Sequence, residues 1–318
     1  MAVAARNRRP LDVSSKHRVL SLNRVVRHWP IWPCILVLLF LSVASVLAGE
    51  APRERGLLFE VRSASSSAPS FLFGTMHSED PRVTGLPATV QAAFDACPGL
   101  ALEVVPDAPA IIKAMMTMTY TDGRTLEQVL PARLYQRVKE ALEARGMGEE
   151  AFKDFKPWAV MTQLSIPPAE TGEFLDLRLY RSAVAAGKGV KGLETMEEQL
   201  AIFDELAEAD QVALLDETLA ASALMPVLFR QLTEAYLQRD LLRLQALSDA
   251  SLRESEPRLA ALFRATIIDA RNRRMAERMR PLLDEGGWFI AIGALHLAGD
   301  SGVLSLLRRS GYGVSVLY

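Results

Sequence analysis

Apolar positions along this chain fall into three regimes. The first is a charge-free run, Ile31–Ala48, reading IWPCILVLLFLSVASVLA. The second consists of short strand-like runs near both ends of the remaining 270 or so residues. Gly56–Ser63 and Ser70–Phe73 flank a small polar loop, residues 64–69, and predict a β-hairpin. Leu100–Leu102, Val190–Leu193, Trp288–Ile292 and Tyr312–Tyr318 read as further strands, the first closed by Glu103 and the second by Glu194. The third regime is helical spacing. Residues 87–97 form one such stretch, with Val90, Ala93 and Phe94 on a common face. Residues 106–186 are mostly helical, with Leu126, Val129, Leu130, Leu134 and Val138 in register and an interruption at Lys156-Pro157-Trp158. Thr195 opens another helix with acids in its first turn, where the helix dipole favours them. Amphipathic helices then run to about Leu283, with a break at Glu256-Pro257. Gly286-Gly287 stops them. A last helix, Gly302–Arg309, takes Asp300 or Ser301 as its cap. Met115, Met116 and Met118 read as flexible core filler, and Trp158 as core.

This order predicts an α/β (α+β) fold. Strand, Gly-x-x-His, polar loop, helix and strand occur near the start and again at the end, so two pseudo-repeated β-α-β halves form a central sheet flanked by helices. A large helical insertion separates the halves.

Charge changes the reading of the N-terminus. Residues 1–30 carry seven Lys or Arg and one acid, a formal +6 directly ahead of the apolar run. A basic flank before such a run is the layout of a secretory signal, with Val46-Leu47-Ala48 acceptable before a cut. An uncleaved membrane anchor has the same layout, since 18 apolar residues approach a bilayer span. Residues 1–48 are therefore a leader or anchor and 49–318 the folded domain. Both readings place that domain outside the cytoplasm, periplasmic or secreted. Without the basic segment the remainder is acidic, at −8. It carries no nucleic-acid motif, so nucleic-acid binding is not expected. Cys97 is the single cysteine of the folded part, so no internal disulfide is expected there.

The folded part has two histidines, His77 and His296, each ending a Gly-x-x-His just past a strand. The carboxyl ends of strands in an α/β sheet are where ligands bind. Neutral imidazole is the commonest metal ligand. Glu103 and Glu194 supply carboxylates to complete a site that leaves positions open for water. The plainer reading makes the histidines structural hydrogen-bonding groups and the two glutamates solvated strand ends. Glu79, Asp80 and Asp300 read as turn and cap residues.

These elements resemble the TraB/GumN family, which includes the Tiki proteins. The resemblance runs from about Leu57 to Tyr318. It is carried by Phe71-Leu72-Phe73-Gly74-Thr75-Met76-His77, Leu102-Glu103, Lys156-Pro157-Trp158, Leu175-Asp176, Gly192-Leu193-Glu194-Thr195 with Glu198-Gln199-Leu200, Arg271-Asn272 and Phe289–Leu297. It implies a fold similar to erythromycin-esterase and ChaN-like proteins, and a metal-dependent peptidase acting on a peptide or protein. The metal, manganese, cobalt or zinc, is expected on His77, His296 and Glu103. Glu194 is expected as a further ligand or the base, and Arg271 and Asn272 as polar groups that orient a ligand or an acid. The family leaves two other readings open: a non-catalytic protein that binds a peptide or polysaccharide, and a haem- or iron-binding ChaN-like protein.

Overall fold

The computed structural model describes residues 55–168, 170–252 and 256–318. The leader readings fall on residues 1–48 and lie outside the described residues. Six strands form one mixed sheet: β1 (Leu58–Arg62), β2 (Ser70–Thr75), β3 (Gly99–Leu102), β4 (Gly189–Gly192), β5 (Trp288–Gly293) and β6 (Gly313–Val316). Their spatial order is β4-β3-β5-β2-β1-β6. β2, β5, β3 and β4 pair in parallel, and β1 is antiparallel to both β2 and β6.

Composition explains these positions. A central parallel strand is covered on both faces and so reads as a continuous apolar run. β5 holds Trp288–Ile292, all buried, and lies between β3 and β2. β4 and β6, four residues each and largely exposed, occupy the edges. Short edges limit pairing with other chains.

The antiparallel pair β1–β2 confirms the expected hairpin, and the mixed sheet with its flanking helices confirms the α/β class. The helical material between the halves is split by β4: helices occupy 108–185 on one side and 196–285 on the other. One apolar core covers the sheet and includes Leu72, Phe73, Leu100, Phe289, Met275 and Leu304. A second lies within the helices and includes Leu126, Val138, Phe152, Val160 and Leu215. Lys156-Pro157-Trp158 starts a helix, with Pro157 in its first turn, where a missing N–H costs nothing. Trp158 is buried, stacks on Phe203 and donates Nε1–H to Asp204, which also takes Lys156. The motif thus ties the helical part together.

Two local expectations are corrected. The last helix is Val303–Arg309, and its N-cap is Gly302 without a side-chain bond. A Cβ at Gly302 would lie 2.1 Å from the Ala298 carbonyl oxygen, so only glycine fits there. Met115 and Met116 are not core: they are 64% and 62% exposed.

Candidate functional site

Three parallel strands deliver the predicted residues to one edge. The β3–β4 ladder continues past the strand ends, with Leu193 N–H donating to Leu102 O and Glu194 N–H to Glu103 O. Glu103 and Glu194 thereby become neighbours although far apart in sequence. β5 lies on the other side of β3, and its last residue, Gly293, donates its N–H to Glu103 Oε1 at 2.7 Å. A Cβ on Gly293 would stand 3.2 Å from that oxygen, a tight contact in which the carboxylate would have to give way. The chain then makes a 3₁₀ turn, Ala294–His296, that folds His296 back over the strand end. His296 Nε2 lies 3.8 Å from Glu103 Oε1.

The long helix Arg271–Glu285 supplies the counter-charge. It follows a π-helical segment, Arg264–Ala270, and π turns shift the helical register. Arg271 and Asn272, its first two residues, are both buried. Arg271 Nη2 donates to Glu103 Oε2 at 2.6 Å, and its Nε donates to Glu194 Oε2 at 2.8 Å. Gln199 donates to both carboxylates, and Arg274 to Glu194 Oε1 at 3.2 Å. Burial opposes ionisation of Glu103. The charge His296 carries when its ring is protonated, the charge of Arg271 and the hydrogen bonds from Gly293 and Arg271 overcome it and hold the carboxyl at about 2. Arg271, pulled down by burial, is raised on balance by the same two carboxylates.

Hydrogen-bond chemistry assigns the His296 tautomer. Asn272 Nδ2 donates to the Ser301 carbonyl at 2.9 Å, so Oδ1 must be the atom facing His296 Nδ1 at 2.6 Å. Nδ1 then carries the proton, and Nε2 presents a lone pair. Burial lowers the His296 pKa, so the ring is neutral at pH 7. Arg271 Nη1, a donor, stands 3.4 Å from that lone pair.

His77 is placed differently. It leaves β2 beside β5, but its ring is exposed and packs on Phe174 with centroids 3.8 Å apart. Loss of hydration lowers its pKa, opposed by the charges of Glu103 and Glu79. It borders a groove of about 1140 Å³ that also includes Ile166, Phe174, Met225, Phe229 and Arg230. Glu79 pins one wall by accepting the N–H groups of Glu170, Thr171 and Gly172. Asp80 caps the turn of helix that follows.

The edge therefore gathers Glu103, Glu194, Arg271, Asn272 and His296 into one hydrogen-bonded network and sets His77 at the groove. Among the described residues, no three His, Cys, Asp or Glu side chains stand together as a metal-holding group. The donors fit a divalent ion in kind, with imidazole nitrogen and carboxylate oxygen 3.8 Å apart, and reach two in number. Glu194 has no exposed side-chain surface, and its oxygens are committed to Arg271, Arg274 and Gln199. That suits a fixed counter-charge better than a base.

Sequence reasoning gave no site role to four contributors. Arg274 and Arg278 continue the face of Arg271 at helical spacing, and Arg278 pairs with Glu198 and the Leu193 carbonyl. That i, i+3, i+7 series of arginines was the available signal. Gln199 stands in the family-like segment Glu198-Gln199-Leu200, which gave it no role. Asp176, at the start of the helix Leu175–Ala185, accepts from Thr75 Oγ1 at 2.7 Å. Burial, reinforced by the Glu103 charge and moderated by the Thr75 bond, pushes Asp176 up to about 6.

Relatives share this chain at modest identity. Metalloprotease TIKI1 of Danio rerio is 27% identical over 77% of the chain and 60% of its own length. Metalloprotease TIKI2 of Danio rerio is 26% identical over 81% of the chain and 60% of its length. Metalloprotease TIKI1 of Homo sapiens is 27% identical over 77% and 59%. The chain thus spans about 60% of the length of the relatives it matches. No solved structure matches it. The TraB/PrgY/gumN family model covers residues 57–316, from the first strand to the last, and the chain belongs to that family.

Proposed function

We propose that the protein is a divalent-metal-dependent hydrolase of peptide bonds, acting outside the cytoplasm at the carboxyl edge of its sheet. The observation that carries this reading is His296. Its Nδ1 proton is committed to Asn272, and its Nε2 lone pair points towards the ionised Glu103. An imidazole oriented by a second residue, next to a carboxylate, is how proteins prepare a metal ligand. The relatives named metalloproteases support the same class.

His296 and Glu103 would hold the ion, with His77 as the third donor from the neighbouring loop. A divalent ion so held lowers the pKa of bound water and polarises a carbonyl. The chain's own residues do the rest. Arg271 helps keep Glu103 ionised and pairs with the buried Glu194. Asn272 fixes the His296 ring. The groove beside His77, with its volume of about 1140 Å³ and its mixed apolar and charged lining, suits an extended peptide. Asp176, held by Thr75 near Glu103, is an acid that changes charge close to neutral pH.

The test is metal content in protein purified without chelator and reloaded with manganese, cobalt or zinc, followed by a peptide-cleavage screen. About one ion per chain in wild type, lost in both His296→Ala and Glu103→Gln, is the expected result. A wild type that binds none of the three sinks the reading. It would move the protein to a second one, a peptide-binding protein without turnover. That alternative is favoured by the groove together with the two-donor count.

A further inference from the structure

We propose that residues 170–174 form a strap that aims the His77 ring, with Glu79 and Phe174 as positioning residues. The placement of the ring follows from the chain's own contacts. Its task, that of a third metal donor, rests on the hydrolase reading.

The two motif histidines are oriented by different means. His296 is turned by Asn272, which bonds its Nδ1. Among the described residues no hydrogen bond reaches either ring nitrogen of His77. Its ring contact is Phe174, with centroids 3.8 Å apart and planes tilted by 34°. Packing alone therefore selects the rotamer of this exposed side chain.

Phe174 is set by the segment that carries it. Thr75, His77 and Glu79 stand at every second position as the chain leaves β2. Their partners run in reverse: Asp176, then Phe174, then residues 170–172. The two segments thus pass each other antiparallel. Among the described residues no backbone-to-backbone hydrogen bond joins them, so side chains make every rung.

The outer rung depends on one carboxylate. Glu79 Oε2 accepts the N–H groups of Thr171 at 2.7 Å and Glu170 at 3.0 Å, and the Thr171 hydroxyl at 3.0 Å. Its Oε1 accepts the Gly172 N–H at 2.9 Å. Successive N–H groups that converge on one anion make a backbone nest, and Gly172, at φ 74°, supplies the left-handed turn. Thr171 Oγ1 also accepts the Glu173 N–H at 3.1 Å, which carries the fixing to the residue before Phe174. The inner rung is anchored in the core. Thr75 is buried and donates to Asp176 at 2.7 Å, and the helix that begins at Leu175 sinks Leu175 and Leu179 among the sheet's apolar residues. Phe174 is the N-cap of that helix, so its backbone is held from both sides.

The two rungs differ in what can move them. The inner one shifts only with the core, whereas the outer one gives way when the Glu79 carboxylate is removed. Glu170, Gly172 and Phe174 line the same groove as His77. The wall that a peptide would meet is therefore the wall that aims the histidine.

The experiment is NMR of the full chain carrying isotope-labelled histidine, paired with calorimetric zinc titration. His77→Asn and His296→Asn identify the two ring signals that matter. In wild type the Phe174 ring current displaces the His77 signal upfield. Glu79→Ala keeps Phe174, yet it should return the His77 signal to the position of an exposed histidine and leave the His296 signal unmoved. Glu79→Gln, which keeps one acceptor oxygen, should fall between. Zinc affinity should drop several-fold in Glu79→Ala, towards the value for His77→Ala. A His77 signal at its wild-type position in Glu79→Ala overturns the strap. A shift of both histidines together overturns it too, because it makes Glu79 a residue of general stability. Unchanged zinc affinity alongside a displaced His77 signal removes the positioning role. Wild-type protein that binds no zinc counts against the hydrolase reading alone, and the strap then stands or falls on the two ring signals.

Discussion

The two Gly-x-x-His elements look alike in sequence and do different physical work. β2 and β5 are parallel neighbours, with Thr75 opposite Gly293, so both motifs leave the sheet at one edge. After β5 the backbone turns at once, and His296 is buried among Asn272, Arg271 and Glu103. After β2 it continues outward, and His77 keeps an exposed ring against Phe174. The glycines differ accordingly. Gly293 gives its N–H to Glu103, whereas Gly74 makes room for the turn of the other motif: a Cβ there would meet Leu297 Cδ1 at 2.7 Å. A repeated motif can thus supply one rigid, network-held group and one adaptable group facing a groove.

The largest effect is expected where the rigid half is held by charge. Arg271→Ala leaves Glu103 and Glu194 buried without their shared partner, and removing one member of a buried pair costs about 3–5 kcal/mol. Thermal or urea unfolding should show that loss, with Arg271→Lys intermediate because an ammonium cannot reproduce the fork. A loss below about 1 kcal/mol would mean that the carboxylates are hydrated and the network is not the frame of the site. Gly74→Ala comes next. The added methyl presses on Leu297 and on Ala294 Cα at 3.3 Å, and overpacking of this kind costs about 1–3 kcal/mol. The unfolding midpoint reads it.

Much of this frame is legible in the sequence. β5 shows as an apolar run between paired glycines and helix, and the hairpin as two runs around a serine-rich loop. Glu103 and Glu194 each close a strand, which marks them as edge residues. What spacing does not carry is which strands become neighbours. The order β3-β5-β2 decides that Glu103 meets Gly293 and His296, and strand order is a tertiary outcome. Arg271 stands out only through family likeness, because a helical arginine among several looks solvated until the π-helical segment before it is seen. Met115 and Met116 read as core because apolar spacing on a helix does not say whether anything covers it.

Acidity separates the two acids at the edge and gives a pH test. Glu103 is held at about 2 against an ordinary 4.5. Its contribution to stability is complete above about 4.5 and is lost as pH falls through about 2. Asp176 has the opposite sign. Its pKa is raised from 3.8 to about 6, so the folded state holds a proton that the unfolded state has released. The resulting penalty is absent below about 3.8 and complete above about 6. Asp176→Asn keeps the oxygen that Thr75 bonds and removes the charge. It should stabilise the protein on the order of 1–3 kcal/mol at pH 7.5 and leave it unchanged near pH 3.5. Melting curves across that range test the sign, and a variant less stable at pH 7.5 contradicts it.

The smallest effect on stability is expected at the other motif, and there it is most informative. His77 is exposed and stacks on one aromatic neighbour, so His77→Ala should cost no more than about 1 kcal/mol. His296→Ala should cost more, because it strands the Asn272 oxygen in a buried place. If His77 is the third donor, its removal weakens metal binding while the melting point barely moves. His296→Ala lowers both. Calorimetric metal titration beside thermal unfolding of the two variants separates the roles. Equal losses of stability would show that the exposed histidine is as structural as the buried one. An unchanged metal affinity in His77→Ala would leave His296 and Glu103 as the whole donor set on this chain.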